Sequence, residues 1–289
     1  MEFRPAEPGD AGRVREICRD IWEGRDYLLG AIDGWIAEGG VYVGVVEGAL
    51  VGLSRIKRLG ADDWWLEGLR VAPGSQGKGY GKLLHRATLV ELRRIARGVV
   101  RFCTADTNRS VPLARRDGFY EILNLPFLDR SYGGESLEPL EEALARRGAR
   151  EATLEEPGLA EFLLKTCRGD YAGLLPRGWH HRTATARTLS EELVEARVLV
   201  RGDIGAVEAA LVLNPSSQYD GDLDLDLVAG PPEVVAGSLL PCLGPLAVEM
   251  GRTEVGGAVP ERFLGEFLSA GFRIPEGFTR QMVFELRLP

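Results

Sequence analysis

The first half of the chain alternates polar and apolar residues in the pattern of a mixed α/β fold. Period-two runs at 41–46 and 49–56 are joined by Glu47-Gly48 and predict a β-hairpin. Before the hairpin, 2–6 is predicted to be a short strand, and two amphipathic helices follow it, the first with Asp10 as its N-cap. A third period-two run begins shortly after the hairpin.

The other predicted elements are arranged around the stretch 64–84. Its first part is a strand, and its period-two spacing predicts that one face carries Trp65, Glu67, Leu69 and Val71. The turn Ala72-Pro73-Gly74-Ser75 ends this strand. Apolar residues at helical spacing from Leu83 onward then predict a helix. A glycine-rich segment therefore lies between the strand and the helix.

This segment, Gln76-Gly77-Lys78-Gly79-Tyr80-Gly81, has glycine at every second position, where bare backbone can approach a ligand closely. The next helix directs its first N–H groups and the positive end of its dipole toward the same spot. Lys78 or Lys82 can add a full positive charge. The segment matches neither of the other two common pyrophosphate loops, G-x-G-x-x-G after a first strand and G-x-x-x-x-G-K-[ST]. We therefore predict a cradle for a cofactor that contains a diphosphate.

The pattern V-x-P-x-x-Q-G-x-G-x-G, from Val71 to Gly81, resembles the acetyl-CoA loop of the Gcn5-related N-acetyltransferase (GNAT) superfamily. The resemblance implies a mixed α/β fold with acetyl-CoA as co-substrate and no metal. It implies cofactor contacts from Leu69, Arg70, Val71, Gln76, Gly77, Lys78, Gly79, Tyr80, Gly81 and Lys82. Asn108 takes the position of an asparagine that bonds the pantetheine arm in this superfamily, and a helix N-cap is an equally sound explanation for it.

The same resemblance suggests a proton acceptor. Glu67 is the candidate base, because acidic residues on this strand relay the amine proton in many members; an ion pair with Arg70 or Arg55 is the alternative. A backbone N–H near Arg70 or Val71 is expected to stabilise the oxyanion. Many relatives carry a tyrosine general acid where this chain has Ala114, so no proton-donating tyrosine is assigned.

Candidate substrate contacts lie at Arg25, Asp26, Tyr27 and Trp65. The first three belong to the connection between the first two helices, which lines the acceptor site in the superfamily; a solvated loop is the alternative. The strings 24–27 and 65–71 further resemble the histidine N-acetyltransferase branch.

The second half resembles a degenerate repeat of the first. Runs at 197–201 and 205–213 predict a hairpin, 222–228 predicts a strand, and Pro231-Pro232 are predicted to open a long helix that ends at Met250. Those prolines stand where the first half has its glycine cradle, and proline lacks the N–H that a diphosphate needs. We expect the second half to bind no CoA.

The length of 289 residues fits two domains. We predict tandem GNAT-like domains in an α/β chain: a catalytic domain at 1–132, a linker at 133–150 and a degenerate domain at 151–289. The second domain is expected to complete the acceptor pocket or simply to pack against its surroundings.

Composition and the shortest sequence signals limit which binding partners and which cellular compartment are expected. A net charge of -8 argues against nucleic acid, and glycines and prolines interrupt the longest apolar run, 234–248, so no membrane partner is expected. The N-terminus has no apolar signal core, and the four cysteines show no C-x-x-C spacing, which favours reduced thiols in the cytoplasm and no metal site. A homodimer is left open.

Together these features predict an N-acetyltransferase whose acceptor is a small-molecule primary amine, an amino acid. An α-amine with a pKa of about 8 is partly neutral at pH 7, whereas a lysine of about 10.4 must give up roughly 3 units, about 4 to 5 kcal/mol. A protein N-terminal or lysine acetyltransferase, and a non-catalytic CoA-binding sensor or scaffold, are the alternatives.

Overall fold

The computed structural model describes residues 1–134, 137–215 and 221–289. The chain divides into two compact units. The first unit comprises Met1–Phe102, Leu113–Tyr120 and Glu285–Pro289, and the second comprises Cys103–Pro112 and Glu121–Phe284.

The strands, in chain order, are β1 (Glu2–Pro5), β2 (Val41–Val46), β3 (Ala49–Arg58), β4 (Asp63–Val71), β5 (Gly98–Ala105), β6 (Tyr120–Ser131), β7 (Ala149–Ala152), β8 (Leu174–Arg177), β9 (His180–Thr183), β10 (Arg197–Asp203), β11 (Ala206–Pro215), β12 (Asp222–Ala229), β13 (Glu254–Ala258) and β14 (Arg280–Leu288). The α-helices are α1 (Ala11–Cys18), α2 (Leu28–Glu38), α3 (Tyr80–Ile95), α4 (Ser110–Arg116), α5 (Leu140–Arg147), α6 (Leu159–Asp170), α7 (Ala186–Glu192), α8 (Pro232–Val234), α9 (Leu243–Glu249) and α10 (Leu264–Ser269).

The sheet of the first unit has the order β1-β2-β3-β4-β5. Neighbouring strands are antiparallel except β4 and β5, which are parallel. One face packs against α1 and α2 through a buried apolar cluster that includes Val14, Ile32 and Leu53. On the other face, Gly44 and Gly52 leave room for Leu84 of α3, because a Cβ at either glycine would lie within 3 Å of that side chain.

The predicted hairpin of the first half is present as β2 and β3. Its turn residues, Glu47 and Gly48, have φ values of 51° and 79°, which is the paired left-handed conformation of a type I′ turn. Local turn chemistry therefore fixes the register of this hairpin.

The last strand also supplies residues to the first unit. The carboxylate of Glu285 accepts hydrogen bonds from Arg101, whose Nε and Nη2 both lie 2.8 Å from it. Arg101 Nη1 donates to Asp63 at 2.8 Å, and the hydroxyl of Tyr120 also bonds Glu285. Arg101 and Glu285 are both buried, so this end of β14 is part of the core of the first unit.

The second unit repeats the strand plan of the first. Its order is β14-β6-β13-β12-β11-β10-β7, in which β7, β10, β11 and β12 are successively antiparallel and β12 is parallel to β13. In the first unit, the neighbouring strands of β1-β2-β3-β4-β5 follow the same succession of three antiparallel pairs and one parallel pair. This repeated strand plan agrees with the prediction of two like folds in one α/β chain.

The predicted long helix from 231 to 250 is wrong. The segment is broken into α8, a π-helical turn at Val235–Leu239, a 3₁₀ turn at Leu240–Cys242 and α9. Pro241 and Pro245 have no N–H to donate within a helix, which explains the changes of helical type.

Several elements were not expected from the sequence. Strand β6 and the β8-β9 hairpin were not predicted, and neither was β7, which begins within the predicted linker 133–150 and pairs with β10. The helix that was expected within this linker is present as α5. The compact units also differ from the predicted ranges, most clearly at 285–289. Compactness does not decide a functional division, so the domains 1–132 and 151–289 stay predictions.

A buried polar pair lies on β11 and β12 of the second unit. Asn214 Nδ2 donates to Asp226 Oδ2 at 2.5 Å, and the Gly178 N–H donates to Asp226 Oδ1 at 2.6 Å. Burial and the neighbouring Asp224 raise the pKa of Asp226 to about 8, although Arg177 acts in the opposite direction. Among the described residues, Asn214 Oδ1 has no hydrogen-bond donor.

Three further observations concern the described part of the chain only. It contains no helix that is both long enough and apolar enough to cross a bilayer. In the same residues, no group of three His, Cys, Asp or Glu side chains is arranged to hold a metal ion. All four cysteines are free thiols, and burial raises the pKa of each.

Candidate functional site

The glycine-rich segment forms an exposed loop between β4 and α3. A single 3₁₀ turn, Pro73–Ser75, ends the strand, and the side-chain amide of Gln76 then donates to the carbonyl of Val71 at 3.4 Å. Gly77 and Gly79 have φ values of 77° and 83°, which side chains strongly disfavour. A Cβ at either position would meet no atom within 4 Å, so the loop leaves open space over its own backbone.

The start of α3 adds donors to this loop. The helix spans 16 residues, and its N-cap, Gly79, offers no side chain to satisfy the first N–H groups. Those N–H groups and the helix dipole favour an anion, and the exposed Lys78 and Lys82 flank the same turn. The loop therefore fits the diphosphate of acetyl-CoA, and the predicted residues from Gln76 to Lys82 are brought together here.

A β-bulge interrupts β4 just before the loop. Arg55 of β3 lies opposite Glu67 and Leu53 lies opposite Arg70, so Gly68 and Leu69 together face a single residue of β3. Gly68 has a φ of 67°, and a Cβ there would lie 2.8 Å from Cζ3 of Trp35. Glycine is thus required both by the bulge conformation and by the close packing of α2.

The bulge corrects one prediction about side-chain direction. Period-two spacing placed Glu67 and Val71 on one face of the strand. In the structure Val71 pairs with Gly52, on the α3 face, whereas Glu67 pairs with Arg55, on the α1-α2 face. The extra residue at the bulge reverses the alternation, which a pattern within one strand does not reveal.

Beyond the bulge, β4 has one partner strand in the described residues. Its parallel pairing with β5 joins Asp63–Trp65 to Val99–Arg101, and from residue 66 to residue 71 only β3 pairs with it. Backbone N–H groups on the other edge are therefore available to a ligand. This is the stretch where the oxyanion donor is predicted.

Glu67 takes part in a buried ion pair. Its Oε1 lies 3.0 Å from Nη1 of Arg55, and the two side chains are 6% and 3% exposed. Arg55 also bonds Glu38 and stacks over Trp35, with its guanidinium carbon 4.5 Å from the ring centre. The ion-pair alternative for Glu67 is thus present in the structure, and its role as a base stays a prediction.

Asp26 and Tyr27 lie beside this pair, on the same face. The buried Asp26 carboxylate accepts hydrogen bonds from Arg70 and from the Leu28 N–H. Arg70 stacks over Tyr27 and over Trp22. Burial raises the pKa of Tyr27 to about 12; Arg70 acts to lower this pKa, and Glu67 acts to raise it. The structure thus brings Asp26, Tyr27, Glu67 and Arg70 together in the first unit.

The segment that carries the cradle and the bulge, residues 13–119, matches the model of the acetyltransferase (GNAT) family. The chain carries a GNAT acetyltransferase domain. The prediction of superfamily membership is confirmed, and so is the prediction of an acetyl-CoA-dependent N-acetyltransferase.

Similarity of fold extends over nearly the whole chain. A protein from Thermoplasma acidophilum, provisionally assigned as an acetyltransferase, is 18% identical with a TM-score of 0.66 over 99% of this chain and 100% of its own. A GCN5-related N-acetyltransferase from Sphaerobacter thermophilus is 16% identical, with a TM-score of 0.63 over 99% of this chain and 95% of its own. A tandem GNAT protein from the clavulanic acid biosynthesis pathway is 15% identical, with a TM-score of 0.59 over 99% of this chain and 98% of its own. These likenesses show the fold, and no functionally curated protein matches the chain significantly.

Other predicted contacts of the GNAT domain are not in this group. Arg25 is exposed, and its backbone N–H bonds the carbonyl of Trp22. Trp65 is only 2% exposed and pairs across the sheet with Lys57. Substrate contact by these two residues stays a prediction.

Asn108 belongs to the second compact unit. Its Oδ1 accepts a hydrogen bond from the Ser110 N–H at 3.0 Å, at the start of α4, so the predicted capping role is present. Contact with the pantetheine arm stays a prediction.

The usual tyrosine position offers no proton. Ala114 is fully buried, and its carbonyl accepts a hydrogen bond from the Phe119 N–H. Nearby Tyr120 donates to Glu285, which raises the pKa of its hydroxyl.

Sequence reasoning missed the side chains that hold this site together. Neither Trp35 nor Glu38 was predicted to belong to the site, yet both contact Arg55. No local signal identifies them, because each meets its partner from another element.

Proposed function

We propose that the GNAT domain transfers the acetyl group of acetyl-CoA to the α-amine of an amino acid. The observation that carries the proposal is the position of Glu67, on the α1-α2 face of a bulged strand that leads directly into the glycine cradle. Acetyl-CoA supplies the acetyl group when it is bound at the cradle.

The cradle residues from Gln76 to Lys82 would hold the diphosphate through backbone N–H groups and lysine charge. The unpaired edge of β4 near Arg70 and Val71 would donate hydrogen bonds to a developing oxyanion. These donors belong to the backbone, so they need no reorganisation when the charge appears.

Glu67 would accept the proton of the amine as the new C–N bond replaces the C–S bond of the thioester, and CoA would leave as a thiolate that takes its proton from water. Arg55 lies 3.0 Å from Glu67, so the carboxylate has a charged partner whether or not an amine is present. An acceptor amine that is already partly neutral at pH 7 asks less of such a base. An α-amine, with a pKa of about 8, meets that requirement better than a lysine side chain of about 10.4.

The remaining expectations are part of the same proposal. The acceptor is a small molecule rather than nucleic acid or a membrane surface, the enzyme works in the cytoplasm, and the second half binds no CoA. A homodimer is left open.

The test is release of free thiol from acetyl-CoA by the full chain, with the twenty amino acids, several polyamines and short peptides as acceptors. We expect turnover with one or a few amino acids. Glu67→Gln should lower kcat/KM by about 10² to 10⁴. Glu38→Gln is the matched control, because Glu38 shares Arg55 but its side chain is 64% exposed; a much smaller loss is expected there.

Two results would contradict the proposal. Turnover confined to peptides would indicate a protein acceptor. Tight CoA binding without thiol release from any amine would indicate the sensor, an alternative that the alanine at position 114 favours.

A further inference from the structure

The bulge in β4 brings the carboxylate of Glu67 and the guanidinium of Arg70 to the same face of the sheet. In a regular strand, residues three apart point to opposite faces. Here Glu67 pairs with Arg55 and Arg70 pairs with Leu53, and those two residues of β3 share a face because they are two apart. Glu67 and Arg70 therefore point to the same side of the sheet, and both act electrostatically on the Tyr27 hydroxyl.

The guanidinium of Arg70 keeps part of its hydrogen-bonding capacity. Of the five N–H groups of an arginine, Nε and one on Nη2 bond Asp26 and one on Nη1 bonds the Leu69 carbonyl, and the Tyr27 hydroxyl is a further hydrogen-bond partner of the group. The guanidinium carbon also lies over the rings of Trp22 and Tyr27, 4.8 Å and 5.5 Å from their centres. The Nη1-Nη2 edge therefore keeps at least one N–H for a ligand, beside the Tyr27 hydroxyl, and a carboxylate has two oxygens with which to bond both groups.

The charges around this edge balance. The formal charges of Asp26, Glu67, Arg55 and Arg70, whose side chains are 0 to 14% exposed, sum to zero, and the further acid that contacts them, Glu38, is solvated. A buried site without net charge disfavours a polyamine or a lone anion, since the charge of either ligand would have no counter-charge in the site. A zwitterion brings one charge of each sign and no net charge.

We propose that Arg70 binds the α-carboxylate of the acceptor amino acid through its Nη1-Nη2 edge, while the α-amine lies toward Glu67. Asp26 is the positioning residue, because its two hydrogen bonds fix the plane of the guanidinium. This inference rests on the proposed function and narrows its substrate to a free α-amino acid.

The experiment compares three acceptors: the best amino acid of the thiol-release panel, its decarboxylated amine and its α-carboxamide. We expect the wild type to prefer the free acid by at least 100-fold in kcat/KM, because a bidentate charged contact is lost with the other two. Arg70→Met should reduce this preference to less than about 5-fold, because kcat/KM for the free acid should fall far more than kcat/KM for the decarboxylated amine. Arg70→Lys should restore part of the preference, since a lysine keeps the charge without the fork.

Two further variants separate recognition from folding. Arg58→Met removes an exposed arginine that also stacks on a tryptophan in the same sheet, and it should keep the full preference for the acid. If Arg70→Met does not fold because Asp26 is left unpaired, the double variant Asp26→Asn with Arg70→Met removes both charges and should show the same loss.

The outcomes distinguish the two proposals. Equal turnover of the acid and its decarboxylated amine by the wild type overturns the role of Arg70 and leaves the proposed function standing. A full preference for the acid in Arg70→Met also overturns it. Absence of thiol release with every amino acid overturns the proposed function and this inference with it.

Discussion

The guanidinium of Arg70 donates two hydrogen bonds, at 2.8 and 3.2 Å, to the buried carboxylate of Asp26. This pair ties the connection between α1 and α2 to the strand just after its bulge. The connection includes Trp22 and Glu23, whose φ values of 49° and 59° are unfavourable for residues with side chains. The pair, together with the stacking of Trp22 on Arg70, offsets that cost.

Removal of one member of this pair should destabilise the first unit. Asp26→Asn leaves a buried guanidinium without its counter-ion, and the expected loss is about 3 to 5 kcal/mol in the free energy of unfolding. Urea titrations of the two single variants and the double variant with Arg70→Met form the cycle that measures this. If the two single losses simply add in the double variant, the two groups are not coupled.

Substitution of Gly68 should damage both the fold and activity. Gly68→Ala places a methyl group 2.8 Å from Trp35 at a left-handed φ, so we expect a loss of at least about 1 to 2 kcal/mol. Gly34→Ala is the control: Gly34 lies within α2, a Cβ there meets no atom within 4 Å, and a gain of about 0.4 to 1 kcal/mol is expected. Thermal unfolding compares the two variants, and equal midpoints would argue against the bulge.

The cradle can be tested without turnover. Gly79→Val puts a branched side chain where φ is 83° and fills the space over the loop backbone, so CoA affinity should fall at least about 10-fold. Gly74→Ala lies in the same loop, at a position with open space and no left-handed φ, and should bind CoA like the wild type. Calorimetric titration with CoA measures both. Unchanged affinity in Gly79→Val would refute the assignment of this loop.

The second unit should respond to pH through Asp226. Its pKa is raised to about 8 in the folded state, so between about pH 4 and pH 8 the folded state holds a proton that the unfolded state has lost. Stability from this group therefore falls as pH rises through that window and levels off above it. The slope is at most about 1.4 kcal/mol per pH unit.

Asp226→Asn should remove this dependence. The substitution introduces a side-chain amide N–H at position 226. After the Asn214 amide rotates, this N–H donates to Asn214 Oδ1, the atom that has no donor among the described residues. We expect urea unfolding at pH 5, 6, 7 and 8 to show that the free energy of unfolding of the variant rises relative to that of the wild type at each step. A constant difference between the two proteins would contradict the assignment.

The structural elements around the candidate site that were predicted correctly are local in sequence. The glycine cradle, the hairpin turn at Glu47-Gly48 and the helix after the cradle each follow from fewer than about 20 neighbouring residues. Likewise, Asp26 and Tyr27 stood out as polar and aromatic residues in a single connection.

The parts that were missed depend on partners far away in the chain. The direction of Val71 relative to Glu67 depends on how β4 pairs with β3, and one extra residue at Gly68 reverses it. Arg70 meets Asp26 across 44 positions, and nothing within either segment indicates the match. The broken helix of the second unit depends on how Pro241 and Pro245 are accommodated by tertiary packing.

The contribution of Glu285 to the first unit also sets the order in which the protein can be completed during synthesis. Arg101 and Glu285 are 184 positions apart, a distance that a ribosome covers in roughly 10 to 40 seconds at about 5 to 20 residues per second. Throughout that interval the nascent first unit has the buried guanidinium of Arg101 with Asp63 as its partner but without Glu285. The first unit therefore closes only after all of the second unit has been translated, so a prematurely terminated chain should leave the first unit unfinished.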